Sequence, residues 1–455
     1  MNINTAETNE LADSIELINI FIEGFDKHYL PYVEFTEQTI MPLNNYQINN
    51  SVRGVSITVF DSLTTIISKY SPVEHFHAKV KQYISRVFDV LEKEDDDDNV
   101  AIMLETLQDM FETAKLFLTA PEINSMFAKF IDIFNKIEKS RTELVKTKET
   151  AEEALKKEKL NTVKEDESDN EFEDEEDDLD MFEYDINNLE SILTGFSDVM
   201  GTIFKHHKNL CLEVVNKLIV EYLPKYFKDE SSNFEKKLGF FILDDMIEYL
   251  GQELLFNFWN DIFQILMKHS TSKLCSIRQA VIYGIGEFAK FTKTDYQNYA
   301  QNSIEALLNA YNVQRLESDT KEAYQSARDN ATASIGKIIK YQGEKINLKE
   351  TTEKWVHFLP IEEDRSEGKE QYELLCEIIL KRSDIIVGDN NKNLPQIIKV
   401  LSKAYKTNFS EEKIDENINL IMKNFKENSS LHVFVEESIK ISEDKIANKI
   451  KEFFK

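Results

Sequence analysis

The stretch Ser276–Phe291, SIRQAVIYGIGEFAKF, constrains the fold more than any other part of the chain. Ile277, Ala280, Val281, Gly284, Ile285 and Phe288 recur at spacings of 1, 3 and 4, which predicts a helix with a wide apolar stripe. Arg278 stands near its start, and Gly284 and Gly286 lie in its middle. Glycine costs roughly 1 kcal/mol against alanine inside a helix, so two of them predict a neighbour whose backbone comes close. Fifty residues on, the pattern returns as Arg328–Tyr341, RDNATASIGKIIKY. Arg278 maps to Arg328, Ile285 to Ile335, Gly286 to Gly336 and Lys290 to Lys340. A looser copy runs from Val52 to Tyr70 with Arg53 in the Arg position.

An internal repeat overrides the expectation that 455 residues make about three ordinary domains. With 42% hydrophobic residues the chain can bury a continuous core, and with 12 Gly and 7 Pro it is too poor in turn residues for a many-stranded β protein. The class is all-α. The polar, acidic start MNINTAETNELADS is neither a secretory signal nor a transit peptide, and no apolar run approaches the roughly 20 residues of a membrane span. Cys211, Cys275 and Cys376 lie far apart without metal spacing and read as reduced core residues of an intracellular protein.

Apolar periodicity predicts helices at Asn9–Phe25, Leu30–Leu43, the Arg53 stretch, Glu74–Leu91, Val100–Leu116 and Pro121–Leu160. The last turns highly charged after Ile137, and its distal half is expected to project into solvent. Helices resume in pairs: Ile186–His206 with Leu210–Tyr226, Phe234–Leu250 with Leu254–Met267, Ser276–Phe291 with Tyr296–Tyr311, and Lys321–Tyr341 with Leu348–Leu359. Lys369–Arg382, Leu394–Tyr405, Glu411–Phe425, His432–Ile441 and Glu443–Phe454 complete the chain. Pro360 follows the helix of Trp355; Gly388 and Asp389–Asn391 suit a cap and turn; Asn393 is a candidate N-cap ahead of Leu394 and Pro395. Helix pairs at this spacing, with an early Arg in one helix of the pair, make a HEAT/armadillo-type α-solenoid, a right-handed superhelix of antiparallel helix pairs. Arg53, Arg278 and Arg328 are expected on the concave side, satisfying carbonyls and acidic side chains of neighbouring repeats.

Net charge is −29, which argues against a general nucleic-acid binder and favours basic proteins as partners. Glu165–Asp180 holds 12 acidic residues in 16 and no basic one, and a loop at Glu92–Asp98 carries four consecutive Asp. Such charge density predicts disorder, so the expected organisation is repeats over 1–160, an acidic disordered insertion over 161–184, and repeats over 185–455. The residues expected to meet a basic ligand are Glu171, Glu173, Asp174, Glu175, Glu176, Asp177, Asp178 and Asp180, with Asp244 and Asp245 on the scaffold. Ser168, followed by Asp169 and Glu171, suits an acidophilic kinase.

Five stretches carry a resemblance to a known family: Phe241–Glu248 (FILDDMIE), the Arg278 helix, Arg328–Tyr341, Trp355–Asp364 (WVHFLPIEED) and Gly388–Ile397 (GDNNKNLPQI). With Phe35–Gln38 (FTEQ) and Pro42 ahead of the Arg53 helix, their order and spacing are similar to the importin β3 (karyopherin β3) branch of the importin β superfamily, over its C-terminal HEAT-repeat part only. The resemblance implies a nuclear transport receptor shuttling between cytoplasm and nucleus through the nuclear pore. Its partners would be basic cargo such as ribosomal proteins or histones, nucleoporins with phenylalanine–glycine repeats, and the Ran GTPase, whose GTP form releases cargo. The family's N-terminal repeats, where Ran binds, have no counterpart here, so no Ran-contact residue carries over. The chain is expected to be either a fragment of a longer receptor or a shortened relative. The alternative is a HEAT scaffold or acidic chaperone for basic proteins outside transport.

No constellation for catalysis, a cofactor or a metal is found. Gly284-Ile-Gly286 lies inside an amphipathic helix and follows no strand, so it is no dinucleotide loop. His75 and His77, and His206 and His207, do not place two ligands on one helical face with a third nearby. The acidic clusters lack the glycine turn of a calcium loop. The expectation is a binding protein, not an enzyme.

Overall fold

The computed structural model describes the backbone of residues 5–162, 170–292 and 296–455, and their side chains except at 158–162, 170–177 and 252. The described residues contain helices and turns and no strand. They divide into two compact units, Met1–Pro224 and Lys225–Lys455.

The first unit runs through α1 (Ala6–Phe25), α2 (Val33–Ile40), α3 (Asn50–Tyr70), α4 (Val73–Leu91), α5 (Asp97–Ala114), α6 (Ala120–Thr162), α7 (Asn170–His207) and α8 (Leu212–Lys217). A π-helical turn, Leu218–Tyr222, joins α8 to α9 (Leu223–Tyr226). Helices α1, α3, α5 and α7 stack side by side as one layer, with α4 and α6 behind them. Between the layers, Phe60 stacks on Tyr83 at 4.9 Å, and Phe130 meets Phe196 at 4.6 Å.

The second unit continues with α10 (Asn233–Leu255), α11 (Trp259–His269), α12 (Cys275–Phe291), α13 (Ala300–Tyr311), α14 (Lys321–Gln342), α15 (Leu348–Phe358) and α16 (Arg365–Arg382). It closes with α17 (Leu394–Ala404), α18 (Glu412–Glu427), α19 (His432–Lys440) and α20 (Asp444–Phe454). Here α10, α12, α14, α16 and α18 form the first layer, backed by α11, α13, α15 and α17. Trp259 and Phe263 of α11 meet Phe288 of α12 at 4.9 and 5.5 Å.

Six first-layer helices begin on side chains that accept from their own free N–H groups. Thr5, Asn49, Asp96, Ser232, Thr320 and Asp364 cap α1, α3, α5, α10, α14 and α16 in this way. Helices α12 and α18 have Leu274 and Glu411 at that place and no side-chain cap. All three cysteines are buried and unbridged.

Several expectations need correction. The predicted helix at Leu30–Leu43 is broken into 3-10 turns around α2, because Pro31 and Pro42 lack the amide a continuous helix needs. Helix α10 runs beyond Leu250, turning at Gly251 with φ +51, so α11 begins only at Trp259. The distal half of α6 does not stand alone in solvent: it packs antiparallel on α7, burying Arg141 and Leu155. The insertion expected over 161–184 lies partly outside the described residues, at 163–169, and from Asn170 onward it is the start of α7.

Candidate functional site

In the first unit the side-by-side packing of α1, α3 and α5 brings carboxylates together. Asp61 of α3 lies between Glu23 of α1 and Asp109 of α5; burial, then Asp109 and Glu23, push its carboxyl up to about 6. Its Oδ1 is buried without a hydrogen-bond partner. Burial also raises Asp109, helped by Glu105 and Glu112 on the same helix. At the start of α5, Asp97 is raised by burial and then by Asp185 of α7 and its neighbours Asp96 and Asp98. Glu112 is paired with Lys205 and His206 at 2.5 and 2.8 Å, but among the described residues no ion pair is formed by Glu23, Asp61, Asp97 or Asp109, so these are charged only at a cost that an incoming ammonium or guanidinium group would relieve. Sequence reading missed Asp61 and Asp109, because each sits alone in an amphipathic helix and only the stacking assembles them.

Not every carboxylate nearby is available. Glu94 is held by Arg53, whose Nε and Nη2 donate to its two oxygens at 2.9 and 2.6 Å. Asp96 is occupied as the α5 cap, accepting from Asn99 N at 3.1 Å.

The α6–α7 hairpin carries the acidic stretch. Arg141 of α6 donates to Glu190 Oε1 of α7 at 2.5 Å, and Lys148 pairs with Glu183. Asp178 and Asp180 are exposed on α7. The side chains of Glu171, Glu173, Asp174, Glu175, Glu176 and Asp177 lie outside the described residues, as does Ser168.

In the second unit a polar ladder crosses four first-layer helices. Lys337 of α14 is buried between Glu287 of α12, at 2.7 Å, and Glu367 of α16. Burial alone would lower the Lys337 ammonium, but Glu367 and Glu287 hold it above its ordinary range. The ammonium also lies 4.5 Å from the Tyr283 ring, whose hydroxyl donates to Glu248 at 2.7 Å. Asp244 of α10 points into the same layer against Gly284. It is only 6% exposed, and burial, with Asp245, Glu287 and Glu248 nearby, raises its carboxyl well above the usual range. Asp244 is therefore corrected from a surface contact to an interior group: the apolar spacing of FILDDMIE puts it on the packed face. Asp245 beside it stays half-exposed.

The three equivalent arginines do three different things. Arg53 reaches the loop of the next helix pair at Glu94, as expected. Arg278 instead donates to Ser272 O and Lys273 O at 2.6 and 3.0 Å, tying the uncapped α12 to its own leading loop. The Arg328 guanidinium lies 4.1 Å from the Tyr311 ring. Beside it, Asp329 Oδ2 accepts from the amides of Glu362 and Glu363 at 3.0 and 2.6 Å.

The other repeat positions are structural. A Cβ on Gly286 would stand 2.5 Å from Ser334 Oγ, and one on Gly336 would overlap Gln371 of α16. Trp355 is fully buried, with Nε1 donating to Thr332 O at 3.0 Å. Pro360 lies just past α15, and Pro395 opens α17. Asn393 does not cap α17; its Nδ2 donates to Ile386 O at 2.9 Å and ties the preceding turn, in which Gly388 has φ +71.

No protein-family model matches the sequence. Among solved structures, the chain is similar to the karyopherin Kap121p bound to RanGTP, with TM-score 0.70 and 14% identity over 98% of this chain and 37% of that one. Kap121p bound to the SUMO protease Ulp1p gives 0.66 and 14% over 97% and 37%. Kap121p bound to Nup53p gives 0.66 and 15% over 97% and 36%. The chain thus spans little more than a third of these neighbours' length. At such identities the likeness speaks for architecture, and the architecture is an all-α solenoid of HEAT type.

Proposed function

We propose that the chain is a nuclear transport receptor, or part of one, of the importin β3 branch, and that it binds basic protein cargo. The observation that carries this reading is the match of nearly the whole chain to a karyopherin solved with RanGTP, with Nup53p and with proteins such as Ulp1p and Pho4p. Asp109, Asp178 and Asp180, exposed and without an ion pair among the described residues, with Glu23 and the half-buried Asp61 beside Asp109, supply the chemistry: carboxylates that Lys and Arg side chains would neutralise. Cargo of the ribosomal-protein or histone class fits that surface, Ran-GTP would act as the release signal, and the working place would be cytoplasm, nucleus and pore. No catalytic role enters this reading.

A pull-down with a histone tail or a ribosomal protein, with a second arm containing Ran-GTP, tests it. Capture at low salt supports cargo binding. Capture that Ran-GTP leaves unchanged rejects the Ran-driven cycle for this chain while keeping the binding activity.

The second reading, a HEAT scaffold or acidic chaperone for basic proteins, draws on the match to little more than a third of the neighbours' length. A tagged chain that binds cargo yet fails to gather at the nuclear rim would favour it.

A further inference from the structure

Around residues 178–190, helix α7 has two apolar faces, and packing uses only one of them. Phe182, Ile186 and Leu189, spaced by 4 and 3, face inward; Ile186 is buried and the other two are half-buried. On the other side Met181 and Tyr184, three residues apart and so neighbours on the helix surface, are 58 and 64% exposed. Asp180, one turn before Tyr184, is exposed on the same face. The edge towards α6 is tied by ion pairs, Glu190 to Arg141 and Glu183 to Lys148. The edge towards α5 carries the half-buried Asp185, close enough to Asp97 to help raise its carboxyl. Met181 and Tyr184 lie between these edges, and among the described residues the Tyr184 ring and hydroxyl meet no partner.

Charge decides what can cover this face. From Asn170 to Glu190 the sequence has 11 acidic residues and no Lys or Arg. A neutral apolar segment would cover Met181 and Tyr184 only by taking water from the carboxylates beside them. A second copy of a chain with net charge −29 would set carboxylates against carboxylates. A cationic segment meets neither obstacle, and its ammonium or guanidinium groups can lie over the Tyr184 ring as Arg328 lies 4.1 Å from Tyr311. Met181, unbranched and polarisable, adapts to an apolar side chain of uncertain shape. We infer that Met181 and Tyr184 are the apolar anchors by which α7 holds a Lys- or Arg-rich segment of a partner protein, one with an apolar residue beside its cations. This rests on the reading of the chain as a binder of basic protein, and adds a share of affinity that salt does not screen.

Three fluorescent peptides of equal length would be titrated into the full chain: Lys/Leu, Lys/Gly with the same number of lysines, and a neutral Ser/Leu. Anisotropy at about 0.1 M and about 0.5 M salt, where the screening length falls from about 10 Å to roughly 4 Å, separates charge from apolar contact. The Lys/Leu peptide is expected to bind tightest and to keep its advantage over Lys/Gly at the higher salt. The double variant Met181→Ala, Tyr184→Ala should weaken Lys/Leu at least about tenfold and Lys/Gly by less than about threefold. Its melting curve should be unchanged, because both side chains face solvent, and Tyr184→Phe should retain Lys/Leu binding, because the ring makes the contact. Equal binding of the two lysine peptides, or a preference that the double variant leaves intact, would overturn the inference while keeping the basic-protein reading. If neither lysine peptide binds at the lower salt, both fall. A Ser/Leu peptide that binds as tightly as Lys/Leu would overturn the inference in favour of a neutral partner.

Discussion

Glu287 of α12 and Lys337 of α14 occupy the same position in two successive repeats, fifty residues apart, and meet at 2.7 Å in the interior. Arg278 and Arg328 begin the two copies, and Gly286 and Gly336 align just before the pair. The repeat that gives these helices their common stripe also brings one residue type against its opposite. With Glu367 on the far side, Lys337 holds three first-layer helices together.

Removing Lys337 alone leaves two buried carboxylates facing each other. Lys337→Ala should cost about 3–5 kcal/mol, read as a lower denaturation midpoint. Combining Lys337→Met with Glu287→Gln and Glu367→Gln should recover most of that loss, because the expense lies in the unpaired charges.

The close approach at Gly286 makes a second contrast. A methyl there would press on Ser334 Oγ and Cβ, so Gly286→Ala should destabilise by about 1–3 kcal/mol. At Gly24, where a Cβ would meet nothing within 4 Å, the same change should stabilise by about 0.4–1 kcal/mol. Equal effects in thermal melts would mean that the small-residue contact between α12 and α14 does not set their spacing.

Asp61 gives a pH signature. Its carboxyl titrates near 6 in the folded chain against roughly 3.9 when unfolded. Between those values the folded state binds more protons, so Asp61 lowers stability as pH rises from about 4 through 6. Asp61→Asn should therefore stabilise the chain at pH 7, by about 1–2 kcal/mol once solvent screening is allowed for, and flatten that part of the profile. No gain at pH 7 would show that the neighbouring carboxylates do not strain it.

The α-solenoid was legible because its cause is periodic: apolar stripes, an Arg near the helix start and glycines at a fixed offset recur in the sequence itself. What each Arg does was not, since one sequence position serves a carboxylate at Glu94, carbonyls at Ser272 and Lys273, and an aromatic ring at Tyr311. Partner choice there depends on loop geometry, which periodicity does not encode. One acidic position, Asp244, was read on the wrong face for a similar reason. Asp244 stands out in a linear scan but faces inward, whereas Asp61 and Asp109 are inconspicuous until α3 and α5 are laid side by side.

The unneutralised carboxylates are expected to bind basic protein. Titrating a fluorescent histone-tail peptide into the full chain and into the variant Glu105→Lys, Asp109→Lys, with anisotropy as the readout at low and physiological salt, tests it most directly. Both positions are exposed on α5, so the fold should survive the change. Binding is expected to weaken steeply with salt and to fall at least about tenfold in the variant. Absence of binding at low salt, or binding that the charge reversal leaves untouched, would contradict it.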